Sequence, residues 1–171
     1  MFFKESYFKN LYSRVYEERE YVKKESPSEY TNFDIFLSYN IKDIEVVKGI
    51  FYLLESKGYK VYLDLIIDPK LKRDECDKET ARLIRERLRR SRSLIYASSQ
   101  NALDSRWMNW ELGEVDGKGG KCFIMPVTKN GSNQEFQQKE YLKLYPLIST
   151  NLNGEWFISD YPSSFTRKFF L

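Results

Sequence analysis

The sequence predicts an α/β fold, with a parallel sheet of about five strands, helices on both faces and an N-terminal helical extension. Three observations predict it. Short apolar runs alternate with segments of helical periodicity from residue 33 onward. A repeated strand–helix–strand order implies right-handed crossovers, and such crossovers join parallel strands. The length of 171 residues is enough for one domain with a sizeable core and short for two.

The first strand is predicted at 33–39, because Phe33-Asp-Ile-Phe-Leu-Ser-Tyr39 is an apolar run typical of a strand buried on both faces. A helix is predicted at 42–57, with Gly58 at the position that commonly ends a helix. In chain order the remaining predictions are a strand at 59–65, a helix at about 77–91, a strand at 93–97, a largely helical segment at 99–117, a strand at 122–127, a loop at 129–140, a helical turn at 140–145, a short edge strand at 155–159 and a helical turn at 165–170.

Residues 3–24 are predicted to form an amphipathic helix. Apolar side chains recur at every fourth position from Phe3 to Val15, and charged side chains fill the opposite face. The Ser-Pro-Ser segment at 26–28 then ends the helix. We expect 1–31 to be an N-terminal extension packed on the main domain, 32–171, or on a second copy. A helix lying on a membrane surface is the alternative, which the mixed charge of its polar face disfavours.

Composition excludes several classes of function. The net charge is +3, from 28 basic and 25 acidic residues, which is too balanced to predict a nucleic acid or an anionic membrane as partner. The sequence has no histidine, so Ser-His-Asp and Cys-His catalysis and histidine metal sites are excluded. Cys76 and Cys122 do not have the spacing of a disulfide framework or a zinc site. We therefore expect no metal and no bound cofactor.

The chain is expected to be cytoplasmic. No stretch approaches the roughly 20 apolar residues that are needed to span a bilayer. The first ten residues, MFFKESYFKN, carry charge where a signal peptide would need an apolar segment.

The segment Ser105-Arg-Trp-Met-Asn-Trp-Glu111 is the strongest candidate for a functional site. Trp107 and Glu111 are four residues apart, so on a helix they lie on the same face. This spacing places an indole ring next to a carboxylate. The alternative is that Trp107 and Trp110 are core residues and that Glu111 is a solvated neighbour.

Three segments together resemble Toll/interleukin-1 receptor (TIR) domains. Residues 33–39 resemble the first conserved box of the family, and Gly58-Tyr-Lys-Val-Tyr-Leu-Asp64 resembles its second strand and the start of its BB loop. Residues 105–111 are similar to the Ser-x-Trp-x-x-x-Glu helix of enzymatic TIR domains. The resemblance covers about residues 32–127 and implies a flavodoxin-like fold.

The subgroup that the sequence resembles most is the bacterial single-domain TIR proteins of Thoeris-type anti-phage systems. The resemblance lies in the segments 65–70, 96–99 and 140–146. It implies cleavage of NAD⁺ as substrate, with loss of nicotinamide and then hydrolysis or cyclisation to an ADP-ribose-derived signal, of which the cyclic form is favoured. It also implies self-association through the BB loop (residues 65–77) and neighbouring helices, a phage-derived trigger, and a separate effector that the product reaches.

The resemblance assigns the catalytic role to Glu111, and the chemistry agrees with one carboxylate. Nicotinamide leaves as a neutral molecule, so the site must stabilise an oxocarbenium-like ribose and orient its hydroxyls, without a histidine or a metal. Stacking faces for nicotinamide and adenine are expected from Trp107, Phe36 and Tyr39. Ser38 either donates a hydrogen bond to substrate or closes the strand turn.

The BB loop departs from the family pattern, since Asp68-Pro69 stands where a Pro-Gly turn is usual and Leu65 follows Asp64. Asp64 is therefore a substrate-binding candidate ranked below Glu111. Three basic residues of this loop are candidates for an approach to the NAD⁺ pyrophosphate, although loop lysines are commonly solvated: Lys70, Lys72 and Arg73.

Two other patterns have ordinary interpretations. The glycine-rich segment 117–121 follows a helix and precedes a strand, which is the reverse of a phosphate-binding loop, so a helix end with a turn is predicted. The helix at 77–91 is rich in arginine and is predicted to present a solvated face, with Glu79 and Glu86 as intrahelical partners. A docking surface for an acidic partner is the alternative, and a nucleic-acid contact comes third.

Two other functions compete with the NAD⁺-cleaving enzyme. A non-catalytic TIR adaptor would assemble through the BB loop and would not need a glutamate beside Trp107. A receiver-type domain would need clustered acidic residues after the first strand to bind Mg²⁺, but Tyr39-Asn-Ile-Lys42 follows there.

Overall fold

The computed structural model describes residues 1–18, 27–28, 30–74, 77–132 and 139–159. Its main sheet has five parallel strands in the order β1-β5-β4-β2-β3, and a second sheet has two antiparallel strands, β6 and β7. The strands are β1 (Phe3–Lys4), β2 (Phe33–Ser38), β3 (Val61–Tyr62), β4 (Ser91–Ser98), β5 (Lys121–Thr128), β6 (Ile148–Thr150) and β7 (Trp156–Ile158).

Helices cover both faces of the main sheet, which confirms the predicted α/β fold. One face carries α1 and α2, and the opposite face carries α4 and α5. The α-helices are α1 (Glu5–Glu18), α2 (Ile44–Ser56), α3 (Asp64–Ile67), α4 (Lys78–Arg89) and α5 (Arg106–Asp116). Short 3₁₀ turns lie at Ile41–Asp43, Asn101–Asp104 and Glu140–Leu144.

Local sequence signals set the ends of the helices that border the site. Helix α2 ends before Gly58, whose φ of 87° is a left-handed conformation that glycine adopts without steric cost. The Asp77 carboxylate accepts a hydrogen bond from the backbone N–H of Thr80 and caps α4. Ser105 caps α5 in the same way, through the N–H of Met108 at 3.3 Å.

The N-terminal extension contributes a strand as well as a helix. Helix α1 begins at Glu5, whereas the sequence predicted a helix from residue 3. Phe3 and Lys4 instead pair in parallel with Val127 and Thr128 at the edge of β5. Helix α1 packs on α2 so closely that a Cβ at Gly49 would overlap the Phe8 backbone. The predicted helical residues 19–24 lie outside the described residues.

The C-terminal part differs from prediction. The predicted edge strand at 155–159 exists as β7, but it pairs with β6 in the separate sheet, and β1 is the fifth strand of the main sheet. The second strand is also shorter than predicted, since only Val61 and Tyr62 pair with β2. The predicted turn at 140–145 is confirmed as a 3₁₀ turn. The predicted turn at 165–170 lies outside the described residues.

The arginine-rich helix α4 is only partly a solvated face. Arg82 and Arg89 are more than half exposed, as predicted, and pair with Glu79 and Glu86. Arg87 is 2% exposed and was wrongly predicted to be solvated. It lies one helical turn from Ile84, on the buried face of the helix, because its charge is matched by a carboxylate in the BB loop.

Two other sequence interpretations can be compared with the structure. Residues 117–119 form a turn between α5 and β5, with a φ of 70° at Gly119, as the glycine-rich segment predicted. No helix within the described residues is both long and apolar enough to cross a bilayer.

Candidate active site

The candidate site lies where β2 and β3 end, at the carboxyl edge of the parallel sheet. Ser38 is the last residue of β2, and Asp64 begins the short helix α3 two residues after β3. Helix α5 packs against the same region and brings Glu111 to Ser38. This edge is where ligands bind in open parallel α/β sheets, because the loops that leave the strands form a crevice there.

Glu111 is completely buried, with 0% of its surface exposed. The Ser38 hydroxyl donates a hydrogen bond to its Oε2 at 2.5 Å. Its Oε1 lies 2.7 Å from Nη1 of Arg73, which makes an ion pair. Oε1 and Nη1 nevertheless have no hydrogen-bond partner of acceptable geometry among the described residues, so the pair is close but poorly aligned.

Arg73 also binds a second carboxylate. Its Nε donates a hydrogen bond to Oδ2 of Asp64, which is 4% exposed. The other oxygen of Asp64 accepts hydrogen bonds from the Tyr39 hydroxyl and the Leu65 backbone N–H, both at 2.8 Å. The guanidinium also lies over the Tyr39 ring, 5.3 Å from its centroid. One cation therefore bridges the two carboxylates of the site.

The electrostatics of the site follow from burial and from this cation. Burial raises the pKa of Glu111, and the charge of Arg73 and the Ser38 hydrogen bond offset part of that rise. Burial lowers the pKa of Arg73, but Glu111 and Asp64 raise it by more, so the guanidinium stays charged. Burial, with the charge of Asp64, raises the pKa of the Tyr39 hydroxyl, which therefore remains a donor.

A cavity of about 490 Å³ opens beside this cluster. Its volume is within the range of about 300–1,000 Å³ that is usual for small-molecule sites. Glu111 and Ser38 are not part of its lining, whereas Arg73 both lines the cavity and contacts Glu111. The lining also includes Tyr39, Asn40, Ile41, Asp64, Leu65, Asp68, Pro69, Leu71, Asp74, Ser105 and Trp107.

The predicted one-face arrangement of Trp107 and Glu111 is present, and both side chains meet Arg73. The Trp107 indole N–H donates a hydrogen bond to the Arg73 carbonyl at 2.6 Å, while Glu111 pairs with the Arg73 side chain. Trp107 is partly buried and packs edge-on against Trp110, with ring centroids 5.5 Å apart. The alternative interpretation of Glu111 as a solvated neighbour is wrong, because the side chain has no solvent contact.

Phe36 lies apart from the other candidates. It is fully buried in the core between the sheet and helices α4 and α5, with its ring 4.9 Å from that of Tyr62. It is not among the residues that line the cavity. Its predicted stacking role, like the substrate contacts predicted for Trp107, Tyr39, Ser38 and Asp64, stays a prediction.

Sequence reasoning missed the role of Arg73 in the cluster. It made Arg73, with Lys70 and Lys72, only a candidate for a pyrophosphate contact. In the structure Arg73 binds two carboxylates, and both lysines are exposed. An ion pair between residues 73 and 111 leaves no local pattern in the sequence. Within the described residues, no three acidic or cysteine side chains are grouped to hold a metal ion.

The fold and the site define an α/β domain with a buried carboxylate at the carboxyl ends of its parallel strands. The sequence model described as the TIR domain matches residues 35–153, which is more than half of the chain. The chain belongs to the TIR domain family.

Two relatives are similar in sequence. The chain is 42% identical over 117 residues (68% of this chain, 61% of the relative) to a protein of Bacillus cereus (strain MSX-D12) named "Probable 3' cyclic ADP-D-ribose synthase ThsB'". It is 28% identical over 81 residues (47% of this chain, 21% of the relative) to one of Cytobacillus dafuensis named "Putative cyclic ADP-D-ribose synthase TIR2". The chain thus spans less than two thirds of the length of either relative.

One solved structure is also similar. It is the TIR domain of the Toll-related receptor TRR-2 from Hydra magnipapillata, which is 18% identical. The match covers 66% of this chain and 79% of that one, with a TM-score of 0.47.

Proposed function

We propose that this chain is an enzyme that cleaves the nicotinamide–ribose bond of NAD⁺ and forms a cyclic ADP-ribose product. The observation that carries the proposal is the buried Glu111, which is bound to Ser38 and contacts Arg73, a residue that lines a ligand-sized cavity. The names of both relatives, which are cyclic ADP-D-ribose synthases, support the same reaction.

The reaction breaks the bond between C1′ of the ribose and the ring nitrogen of nicotinamide. The bonding electron pair leaves with nicotinamide, which becomes neutral, and C1′ acquires oxocarbenium character. A nucleophile of the ADP-ribose itself then attacks C1′ and releases a proton, which gives a cyclic product. Attack by water instead gives linear ADP-ribose and a proton.

Glu111 suits this reaction as an anionic group. A carboxylate held in a water-free site stabilises a developing positive charge much more strongly than it would in water. Ser38 fixes one of its oxygens, and the other, which the ribose would need, faces the Arg73 guanidinium. Tyr39 and Trp107 are among the residues that line the cavity. Their rings are the candidates to stack on nicotinamide or adenine, and the Tyr39 ring is covered by the Arg73 guanidinium in this structure.

The proposed setting is anti-phage signalling in the cytoplasm. The product would leave this chain and act on a separate effector. A phage-derived trigger and self-association through the BB loop would control when the site works. The relation to the ThsB′-named relative supports this setting.

The direct test is nicotinamide release from NAD⁺ by the purified chain at high concentration, compared with the Glu111→Gln variant. The substitution keeps the shape of the side chain but removes its charge, so we expect the rate to fall by about 10²–10³-fold. Glu114→Gln is the matched control, since Glu114 lies one turn further along α5 and pairs with Arg85 and Lys118. It should leave the rate unchanged. Equal activity of the wild-type chain and the Glu111 variant would refute the proposal.

A non-catalytic adaptor is the second candidate function, and one observation favours it. Both oxygens of Glu111 already have neighbours within the chain, as is usual for a charge that only stabilises a fold. An adaptor would leave NAD⁺ intact even when its copies are forced together, for example by fusion to a multimeric carrier. The enzyme would release nicotinamide under that condition.

A further inference from the structure

In this structure Glu111 cannot touch a substrate. It has no exposed surface, Ser38 occupies one of its oxygens, and the Arg73 guanidinium occupies the other. A carboxylate that stabilises a ribose cation must lie within direct contact of it, because the interaction weakens with distance. The side chain that lies between Glu111 and the cavity is Arg73, itself a cation.

We propose that Arg73 is an internal latch: it occupies the catalytic carboxylate in the resting chain and must withdraw before NAD⁺ can react. The inference rests on the proposed function and adds its regulation. The latch consists of the Arg73 guanidinium, its two carboxylate partners, Glu111 and Asp64, and the Trp107 indole that holds the Arg73 carbonyl.

The contacts of the guanidinium are suited to release. Its Nη1 meets Oε1 of Glu111 at 2.7 Å without the alignment of a good hydrogen bond, and its Nη2 is buried without a hydrogen-bond partner among the described residues. A buried polar group without a partner loses its hydration and gains no bond, which costs about 1–3 kcal/mol. The closed arrangement is therefore held by the ion pair with Glu111 and by one hydrogen bond to Asp64, while the buried Nη2 favours opening.

The loop that carries Arg73 is fixed on both sides of it. At the start, Asp68 is bound by Arg87 and by the Tyr62 hydroxyl. At the end, Asp77 caps helix α4. The segment 69–74 lies between these anchors. Its backbone carbonyls accept side-chain hydrogen bonds from Trp107, at Arg73, and from Thr80 of α4, at Lys72, where the distance is 3.4 Å. A shift confined to this segment would remove the guanidinium and leave the sheet and α4 in place.

Charge explains why substrate could take the place of the latch. The nicotinamide ring of NAD⁺ carries a positive charge until the bond to ribose breaks. When Arg73 withdraws and this ring enters, one cation replaces another beside Glu111 and Asp64. The two buried carboxylates are then never left together without a counter-charge, which would be strongly unfavourable. A neutral ligand would lack this compensation.

Removal of the latch is tested by Arg73→Ala, assayed for nicotinamide release in dilute, unassembled protein. We expect the variant to cleave NAD⁺ at least tenfold faster than the wild-type chain under the same conditions. Arg73→Gln, which keeps most of the side-chain volume without the charge, should give a similar but smaller gain and serves if the alanine variant folds poorly. Arg82→Ala removes an exposed arginine paired within α4 and should change nothing.

Inhibition by a small added cation distinguishes the latch from a purely structural role of Arg73. Methylguanidinium added to Arg73→Ala should re-enter the vacated space beside Glu111 and lower the rate towards the wild-type level. The same concentration should leave wild-type activity unchanged, since the chain's own guanidinium is already there. Inhibition that is equal in both proteins would overturn the latch.

The outcomes separate the latch from the enzyme. A gain in Arg73→Ala that disappears in the double variant with Glu111→Gln supports both. A loss of rate in Arg73→Ala, with cleavage in assembled wild-type protein that depends on Glu111, overturns the latch and retains the enzyme. Absence of any cleavage that depends on Glu111, in either variant and in assembled protein, refutes the proposed function and the latch with it.

Discussion

Two largely buried arginines tie the BB loop to the rest of the domain, and their hydrogen-bond donors are satisfied to different degrees. Arg87 projects from helix α4, and its Nε and Nη2 donate to the two oxygens of Asp68 at 2.9 and 3.0 Å. Its Nη1 donates to the Ser28 carbonyl at 2.9 Å, and its guanidinium lies near the ring of Tyr62. Arg73 projects from the loop itself, and its two terminal nitrogens have no hydrogen-bond partner among the described residues.

If Arg73 is the proposed latch, the difference separates a charge that stabilises the fold from one that regulates the site. Desolvation of a charged group is costly, and geometry that satisfies every donor is needed to offset the cost. Arg87 has such geometry, so its pair with Asp68 fixes the loop to α4. Arg73 lacks it, because its terminal nitrogens have no aligned hydrogen bond among the described residues.

The largest expected effect is the loss of the structural pair. Arg87→Ala leaves Asp68 with a part-buried charge and removes the contact to Ser28, so we expect unfolding free energy to fall by about 3–5 kcal/mol. Urea denaturation followed by circular dichroism measures this. The double variant Arg87→Met with Asp68→Asn should recover most of the loss, because no unpaired charge remains. A loss of unfolding free energy below about 1 kcal/mol for Arg87→Ala would contradict the stabilising role that distinguishes Arg87 from Arg73.

A smaller loss of stability is expected for the functional pair. Arg73→Ala removes one aligned hydrogen bond to a charged group, so the unfolding free energy should fall by about 1.5–3 kcal/mol near neutral pH. Asp64 keeps its hydrogen bonds from the Tyr39 hydroxyl and the Leu65 N–H, which limits the cost. Glu111 likewise keeps its hydrogen bond from the Ser38 hydroxyl. A loss equal to that of Arg87→Ala, measured by the same denaturation, would contradict the distinction between the two arginines.

The pH dependence of this loss has a definite sign. The folded-state pKa of Glu111 is already raised by burial, and removal of Arg73 raises it further. A group with a raised folded pKa stabilises the fold below its ordinary pKa, and that stability is lost as pH rises through the folded pKa. The difference between wild type and Arg73→Ala should therefore grow with pH above the ordinary glutamate range. A difference that shrinks with rising pH would be inconsistent with a buried Glu111.

The sequence predicted most of the fold, because the central elements have strong local patterns. The apolar run at 33–39 and the helical periodicity at 42–57 each specify an element without help from the rest of the chain. Strand β1 is different: it has two residues, and Phe3 fits the helical period of the residues that follow it. Phe3 is held extended by pairing with the edge of β5, which no local pattern records.

Several residues of the site could be predicted from the sequence, but the contacts between them could not. The family resemblance identified Glu111, and helical spacing put Trp107 beside it. The position of Arg87 also carried a signal, since it falls on the same helical face as Ile84 and Leu88. Arg73 carried none, because a loop residue gains its partners only from tertiary structure. The contacts of Arg73 with Glu111 and Asp64 could therefore be found only in the folded chain.

The smallest expected effect is a shift in the pH dependence of cleavage in Ser38→Ala. It tests whether Glu111 acts as the ionised catalytic group or only stabilises the fold. The Ser38 hydroxyl donates to the charged form of Glu111 and thereby lowers the pKa that burial has raised. If catalysis needs the ionised carboxylate, the rate rises with pH through a midpoint above the ordinary glutamate value. Loss of the hydroxyl should move that midpoint to higher pH, whatever happens to the plateau rate.

This shift is measured from nicotinamide release over a pH series, in an Arg73→Ala background so that the latch does not limit the rate. Tyr39→Phe is the control, since that hydroxyl binds Asp64 and does not contact Glu111. A midpoint that stays in place in Ser38→Ala would mean that the limiting ionisation belongs to another group. A midpoint that moves with Ser38 and stays in place with Tyr39 would assign it to Glu111, because the Ser38 hydroxyl donates directly to that carboxylate.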